Sequence, residues 1–267
     1  MSTETQSTVK KVFQTLSQNQ FLFEELIKRD FKRKYKRTFL GILWSVLSPL
    51  FTLLVLKVVF TTFFGRSIPC YTIYLFCGTL LFSFFRESTS NGMGVLLNNA
   101  PIFTKINVPK YIFLLANSIS ALINFMLSLL VFFVFCLLEP EVTFTWKMLL
   151  LIYPLIGLYL FNLGVSMSLS ALYVFFKDIR YLYDIAVMLL MYLSAIFYSV
   201  KAFDPMYQKL FLLNPVYVYI SYFRSIVIEH AVPDLLTSSL VFIYPLLVLS
   251  LGCLMYKKLN RVFLYYV

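Results

Sequence analysis

The chain has 267 residues, of which 60% are hydrophobic, 19% aromatic and 13% charged, with a formal net charge of +11. A soluble domain carries about 25% charged residues, so this composition excludes a water-soluble fold, which has no polar face left to meet the solvent. Nor does the positive charge point to nucleic acid, because it sits in short segments beside apolar runs, where a membrane-topology determinant belongs.

The first 38 residues hold nine basic side chains, Lys10, Lys11, Lys28, Arg29, Lys32, Arg33, Lys34, Lys36 and Arg37, and no apolar stretch of signal-peptide length. Within them, residues 19–37 predict an amphipathic helix. Phe23, Ile27, Phe31 and Tyr35 recur every four residues, and basic residues cover the other sides. Such a helix is expected to lie in the headgroup plane of a membrane, held by apolar burial and anionic lipid.

Six apolar stretches follow, at 39–64, 71–96, 111–138, 146–176, 181–200 and 235–256. Each is long enough to cross a hydrocarbon layer of about 30 Å as a helix. The expected fold is therefore all-α: one polytopic membrane domain over 1–267. It comprises a cytoplasmic basic segment (1–38), a six-span core (39–256) and a cytoplasmic tail (257–267). With the N-terminus inside, the inner segments carry 16 Lys and Arg and the outer segments five, an asymmetry that places both termini in the cytoplasm. The outer five are Arg66, Lys147, Lys201, Lys209 and Arg224.

Between the fifth and sixth stretches, residues 201–234 are apolar but interrupted. One piece (206–213) follows Asp204-Pro205 and another (216–228) follows Asn214-Pro215. Asp or Asn before Pro reads as an N-cap and first helical position. Pieces this short cannot cross a bilayer, so two helices re-entering from the outer face are expected, placed as a gate.

Charges inside the apolar stretches are costly and usually functional. Lys57 lies in the outer half of the first, where it can snorkel to the surface. Arg86 and Glu87 are adjacent in the second, so on a helix they point about 100° apart and each needs its own partner. Asn117, Asn124 and Asn162 are expected to hydrogen-bond between helices. The four cysteines have no metal-like spacing and read as small buried hydrophobes.

Several phrases resemble one family in order along nearly the whole chain. Arg29-Asp30-Phe31-Lys32-Arg33-Lys34-Tyr35 with Leu40-Gly41-Ile42-Leu43-Trp44 and Leu47-Ser48-Pro49-Leu50 looks like the start of a polysaccharide-exporting ABC transporter permease. Asn98-Asn99-Ala100-Pro101-Ile102-Phe103-Thr104-Lys105-Ile106-Asn107-Val108-Pro109-Lys110 resembles its loop phrase "N-x-x-L-I-x-K-x-x-F-P-R". Phe176-Lys177-Asp178-Ile179-Arg180 resembles "Y-R-D", Ser194-Ala195-Ile196-Phe197-Tyr198 resembles "S-P-I-F-Y", and Asn214-Pro215 with Phe223-Arg224 resembles "N-P…F-R". Ala195 stands where the family phrase has proline.

That resemblance implies a type 2 ABC exporter permease. It would form a homodimer in the bacterial cytoplasmic (inner) membrane, bind two copies of a separate P-loop ATPase, and export a lipid-linked glycan such as O-antigen, capsule or teichoic acid. It implies a coupling helix within 98–109, where Asn98, Asn99 and Asn107 would cap helix ends, Pro101 would open the helix, Pro109 would close it, and Lys105 would face the partner. Asp30 and Arg33 form a second candidate contact. The resemblance places the first and fifth spans at the channel, so Phe51, Phe60, Tyr192, Phe197 and Tyr198 are the candidate lining, with Asn214 and Arg224 at the gate. Aromatic rings stack on sugar faces while making few fixed hydrogen bonds, which permits sliding.

Independently, none of the eight glycines falls in a G-x-x-x-x-G-K-[ST] pattern. ATP and Mg²⁺ are thus expected on the partner, with no cofactor on this chain. The alternatives are a small-molecule or drug exporter of the same class and a membrane acyl- or glycosyltransferase. Against the enzyme, His230 and Asp234 are separated by one residue fewer than in the acyltransferase pattern H-x-x-x-x-D.

Overall fold

The computed structural model describes residues 17–35, 38–64, 68–106, 108–140, 142–259 and 263–266. Lys10, Lys11, Lys36, Arg37, Arg66, Asn107 and Arg261 lie outside these. Among the described residues every regular element is helical: α1 (Gln20–Tyr35), α2 (Trp44–Phe64), α3 (Tyr71–Met93), α4 (Val95–Phe103), α5 (Tyr111–Leu138), α6 (Ile152–Phe175), α7 (Ile179–Leu193), α8 (Pro205–Phe211), α9 (Pro215–Val227), α10 (Leu235–Leu259) and the single turn α11 (Phe263–Tyr266). Short 3-10 turns lead into α2 at Gly41–Leu43 and into α6 at Trp146–Leu151.

Among the described residues, three helices are long and apolar enough to cross a membrane: Tyr111–Leu138, Trp146–Phe175 and Leu235–Leu259. Trp44–Phe60 is a shorter apolar helix. α8 and α9 qualify jointly but are bent by 108° at the break between them. The expected second stretch stops at Met93 rather than residue 96, where Gly94 separates α3 from α4. The expected fifth stretch is cut shorter: α7 ends at Leu193, seven residues before the expected limit.

The helices pack around two adjoining cores. One gathers α1, α4, the start of α5, the end of α6, the end of α10 and α11, through Leu26, Leu96, Phe113, Ala171, Tyr256 and Phe263. The other joins α3, α5, α6 and α9 through Phe76, Phe132, Phe161, Tyr219 and Phe223. The described basic residues of α1, the α4–α5 loop and the end of α10 share the first end. The α8–α9 pair lies at the other.

α6 and α10 pack closely because glycines line their contact. A Cβ at Gly164 would lie 2.6 Å from the Leu249 backbone nitrogen, and one at Gly252 would lie 2.8 Å from the Gly164 carbonyl. Between apolar helices, close backbone approach supplies the dispersion contact that hydrophobic burial cannot supply in lipid.

α1 is rotated from its expected orientation. Leu26, outside the expected stripe, is the buried residue. Phe23 and Ile27 are half-buried, while Glu24, Glu25, Lys28, Lys32 and Arg33 are exposed. The helix packs on α5, and Ser120 Oγ donates to the Ile27 carbonyl at 3.4 Å. Its apolar side meets protein, so the repeat of four identified an apolar side but not its centre. Lys28 forms an ion pair with Glu25 at 3.0 Å, which raises its ammonium above the usual lysine range.

Candidate functional site

The structural irregularity at the non-basic end is the termination of α7. Helix geometry stops at Leu193, Ala195 takes a left-handed φ of 49°, and a 3-10 turn follows at Val200–Ala202. That conformation costs an alanine roughly 1–2 kcal/mol. The break occurs without the proline of the family phrase. Ser194, Ala195 and Ile196 are nonetheless fully buried, where the carbonyls that a helix end leaves unpaired must find donors.

Those donors come from α3 and α9. Arg224 Nη1 donates to the Ala195 carbonyl at 2.9 Å and Nη2 to the Ile196 carbonyl at 3.0 Å. The same guanidinium donates to the Tyr74 carbonyl through Nε at 3.2 Å and Nη2 at 3.0 Å, and lies over the Tyr74 ring at 3.4 Å. Tyr71 OH donates to the Phe197 carbonyl at 2.9 Å and Tyr74 OH to the Tyr198 carbonyl at 2.6 Å. Arginine suits this position because its planar fork holds several acceptors at once.

Asn214 fixes the other side of the break. Its Oδ1 accepts from the Val216 and Tyr217 amides at 3.0 and 3.4 Å, capping α9 as expected. Its Nδ2 donates to Ser194 Oγ at 3.0 Å, and that hydroxyl donates to the Leu190 carbonyl at 2.6 Å. Asp204 also precedes a proline, yet its side chain makes no capping bond to α8. The phrases Ser194–Tyr198 and Asn214…Arg224 thus form one hydrogen-bonded unit.

Aromatic rings surround it. Phe60 of α2 stacks on Phe197 at 4.7 Å and 16°, and Tyr192 lies 6.4 Å from Phe197. Tyr198 packs edge-on against Phe203 and Phe211, and its hydroxyl donates to the Tyr192 carbonyl at 2.8 Å. A cavity of about 1130 Å³ opens here, lined by Tyr74, Tyr198, Tyr217 and Arg224, with the Lys201–Glu229 ion pair at 2.5 Å among its walls. Of the candidate lining and gate residues, Phe60, Tyr192, Phe197, Tyr198, Asn214 and Arg224 assemble at this break. Phe51 does not: it is exposed on α2, as is Lys57, the charge expected in that stretch.

The basic end carries the other candidate group. α4 occupies the expected coupling segment but starts earlier, at Val95. Pro101 therefore sits inside it instead of opening it, and Pro109 lies in the turn leading to α5 instead of ending α4. Asn98 and Asn99 are mid-helix residues, not caps. Asn98, Pro101 and Lys105 are exposed along one side of this segment, while Leu96, Asn99 and Phe103 are buried. Asn99 Oδ1 accepts from Arg29 Nη2 at 2.8 Å, and Asp30 accepts from Arg29 Nε and Nη2 at 3.0 and 2.8 Å. Arg29 is thus the strut between α1 and α4, and Asp30, its side chain only 11% exposed, holds the guanidinium from within α1. Arg33 faces outward. Lys110 lies 5.7 and 5.8 Å from the Phe103 and Phe263 rings, and burial pushes its ammonium below the usual lysine range.

The intramembrane charges separate. Glu87 accepts from Asn124 Nδ2 at 2.9 Å, so its partner stands on α5 of the same chain and no second copy is needed to supply one. Arg86 is exposed. Asn124 therefore bonds between helices as expected, whereas Asn162 is fully buried with both amide atoms lacking a protein partner.

Residues 22–228 match the ABC-2 type transporter family. The chain belongs to that family. Relatives include the O-antigen export system permease protein RfbA of Klebsiella pneumoniae, 28% identical over 201 residues, which are 73% of this chain and 76% of the relative. The protein of that name in Myxococcus xanthus is 27% identical over 228 residues, covering 84% and 86%. The polysialic acid transport protein KpsM of Escherichia coli is 21% identical over 245 residues, covering 88% and 92%. An ABC-2 transporter permease is a membrane transport subunit, not an enzyme.

For a transporter of this family, the break provides non-helical backbone that is both buried and hydrogen-bonded, the condition under which irregular chain is tolerated at membrane depth. Tyr71, Tyr74 and Gly78 were not singled out by sequence reasoning. A Cβ at Gly78 would lie 2.8 Å from Arg224 Nη2 and 3.1 Å from Ile196 Cγ2. The available signal was their spacing: Tyr71, Tyr74 and Gly78 fall at i, i+3 and i+7, along one face of α3.

Proposed function

We propose that this chain is the permease subunit of an ATP-driven exporter that moves a lipid-linked polysaccharide from the cytoplasmic to the outer face of the bacterial inner membrane. Relatives that carry the names of O-antigen and polysialic acid export proteins over most of their length support the class of cargo. The single observation that carries the geometry is the Arg224-held break, flanked by Phe60, Tyr192, Phe197 and Tyr198, at the end opposite the basic residues. A polar chain needs a walled corridor through lipid, because each unpaired hydroxyl costs several kcal/mol in hydrocarbon. Rings that stack on sugar faces without fixing them suit that corridor.

In this reading α2, α3, α5, α6 and α10 make five crossings. The sixth is made by α7 together with the irregular segment 194–200, since the 15 residues of α7 do not span about 30 Å alone. Both termini lie in the cytoplasm by the positive-inside rule, and α8 and α9 form the outer gate. Two copies build the channel between them. The exposed apolar side of α7 supports this, since only Tyr183 and Val187 of that helix are buried. α4 presents Asn98, Pro101 and Lys105, with Arg33 of α1 alongside, to each of two P-loop ATPase subunits, which bind ATP and Mg²⁺.

The test is depletion of the chain in its own host. The expected result is loss of surface polysaccharide with lipid-linked glycan accumulating on the cytoplasmic side. Unchanged surface polysaccharide would reject the cargo, and normal co-purification of the ATPase with a chain lacking residues 98–107 would reject the coupling assignment.

A further inference from the structure

Two helices at the basic end, α1 and α4, share one apolar core. Leu26 of α1 packs in it with Val95, Leu96 and Phe103 of α4 and with Phe113 and Ala116 of α5. Apolar contacts are non-directional, so they resist separation of the helices far more than sliding.

A polar relay supplies the direction. Asp30 Oδ1 accepts from Arg29 Nε at 3.0 Å and Nη2 at 2.8 Å, which holds the guanidinium from its own helix. Nη2 also donates to Asn99 Oδ1 at 2.8 Å. Asn99 is buried, and its Nδ2 donates to the Val95 carbonyl at 2.8 Å. That second bond decides which way the amide faces, so its oxygen is turned toward Arg29. A line of bonds thus runs from a carboxylate on α1 to the backbone of α4. Bonds from a guanidinium are charge-assisted, and its planar fork adds geometric specificity.

The two helices are joined to the rest of the chain in different ways. One residue, Gly94, separates α4 from α3. α1 instead lies against α5, where Ser120 Oγ donates to the Ile27 carbonyl at 3.4 Å. A displacement of α4 therefore reaches α3 through the backbone, and reaches α1 through the Arg29–Asn99 bond.

We propose that Arg29 is a positioning residue that makes α1 and α4 a single moving element, so that ATP-driven displacement of α4 drives export when α1 travels with it. The inference rests on the coupling role proposed above for α4. It is distinct from docking, because Arg29 and Asn99 meet within the chain, whereas Arg33, Asn98, Pro101 and Lys105 face outward.

The test uses the full-length chain co-expressed with the ATPase of its own host. Asn99→Leu keeps the side-chain size and removes the acceptor, whereas Asn99→Asp keeps an acceptor for Arg29. Three quantities are read: ATPase retained on co-purification, ATP hydrolysed by the purified complex, and surface polysaccharide in cells. In Asn99→Leu, retention and hydrolysis should stay within about twofold of the parent, while polysaccharide relative to hydrolysis falls about fivefold or more. Asn99→Asp should hold that ratio within about twofold of the parent. Arg29→Met breaks the same bond and should lower the ratio equally. The double variant Arg29→Met/Asn99→Leu should fall no further, because two substitutions that remove one interaction are not additive.

A parallel fall in hydrolysis and polysaccharide, with the ratio unchanged, would overturn the inference, since a merely structural contact gives that result. Losses that add in the double variant would also overturn it, as would failure of both single variants to accumulate as folded chain. If the parent retains no ATPase, the coupling role of α4 falls and this inference falls with it. If the parent retains the ATPase and the ratio holds in every variant, the coupling role stands and this inference alone fails.

Discussion

Replacing Arg224 with methionine removes the fork that holds the end of α7 while keeping an unbranched side chain of similar reach. Two carbonyls of the break, those of Ala195 and Ile196, lose their guanidinium donors. The Tyr74 carbonyl lies within α3, where the helical ladder also serves it. A hydrogen bond to a charged group contributes about 1.5–3 kcal/mol net of exchange with water, so two give about 3–6 kcal/mol. The guanidinium over the Tyr74 ring adds about 2 kcal/mol when desolvated. Interhelical polar contacts inside membranes average only about 0.6 kcal/mol, which pulls the sum down. The expected loss is about 3–5 kcal/mol, the size seen when one member of a buried charged network is removed. Lysine, a point charge, reaches fewer acceptors and should recover less than half. The assay is reversible unfolding of the full-length chain in mixed micelles, with amide exchange followed across residues 194–200. If Arg224→Met unfolds within about 1 kcal/mol of the parent and exchange at 194–200 is unchanged, the break does not depend on this residue. Equal stability of Arg224→Lys would refute the argument from fork geometry.

Gly164→Val should force α6 away from α10, because even a Cβ would lie 2.6 Å from the Leu249 nitrogen. Overpacking of this kind costs about 1–3 kcal/mol, read as a lower unfolding midpoint; an unchanged midpoint would show that the helices slide without penalty. Asn99→Ala removes the acceptor of Arg29 and should release α1 from α4, raising amide exchange across residues 20–35 while leaving α6 and α10 protected. Equal protection of α1 in parent and variant would show that Leu26 and its apolar neighbours hold the helix without the polar tie.

The local signals in the sequence were accurate where physics is local. Asn214 before Pro215 caps α9 because an N-cap needs only its own side chain and the next two or three amides. The two short helices of the region after α7 were legible for the same reason, since prolines and apolar length are contiguous properties. The fifth stretch was misjudged because hydropathy does not see hydrogen bonds: residues 194–200 are apolar enough for a span, yet the chain there turns and bends, with the Ala195 and Ile196 carbonyls held by Arg224. α4 was placed late because Pro101 looked like a first-turn residue, and nothing in the sequence distinguishes a proline that opens a helix from one accommodated within it. Asn99 read as a surface contact because its partner, Arg29, is 70 positions away.

Composition and charge order alone determined that this chain is helical, resides in a membrane and carries its basic residues at one end. Those are additive properties, summed over residues without regard to contact. Tertiary structure alone decided where the helix breaks and what the polar residues do, since Arg224 meets Tyr74 across 150 positions and Glu87 meets Asn124 across 37. A buried polar group is stable only beside its complement, and that complement becomes visible only when distant segments are brought within about 3 Å of each other.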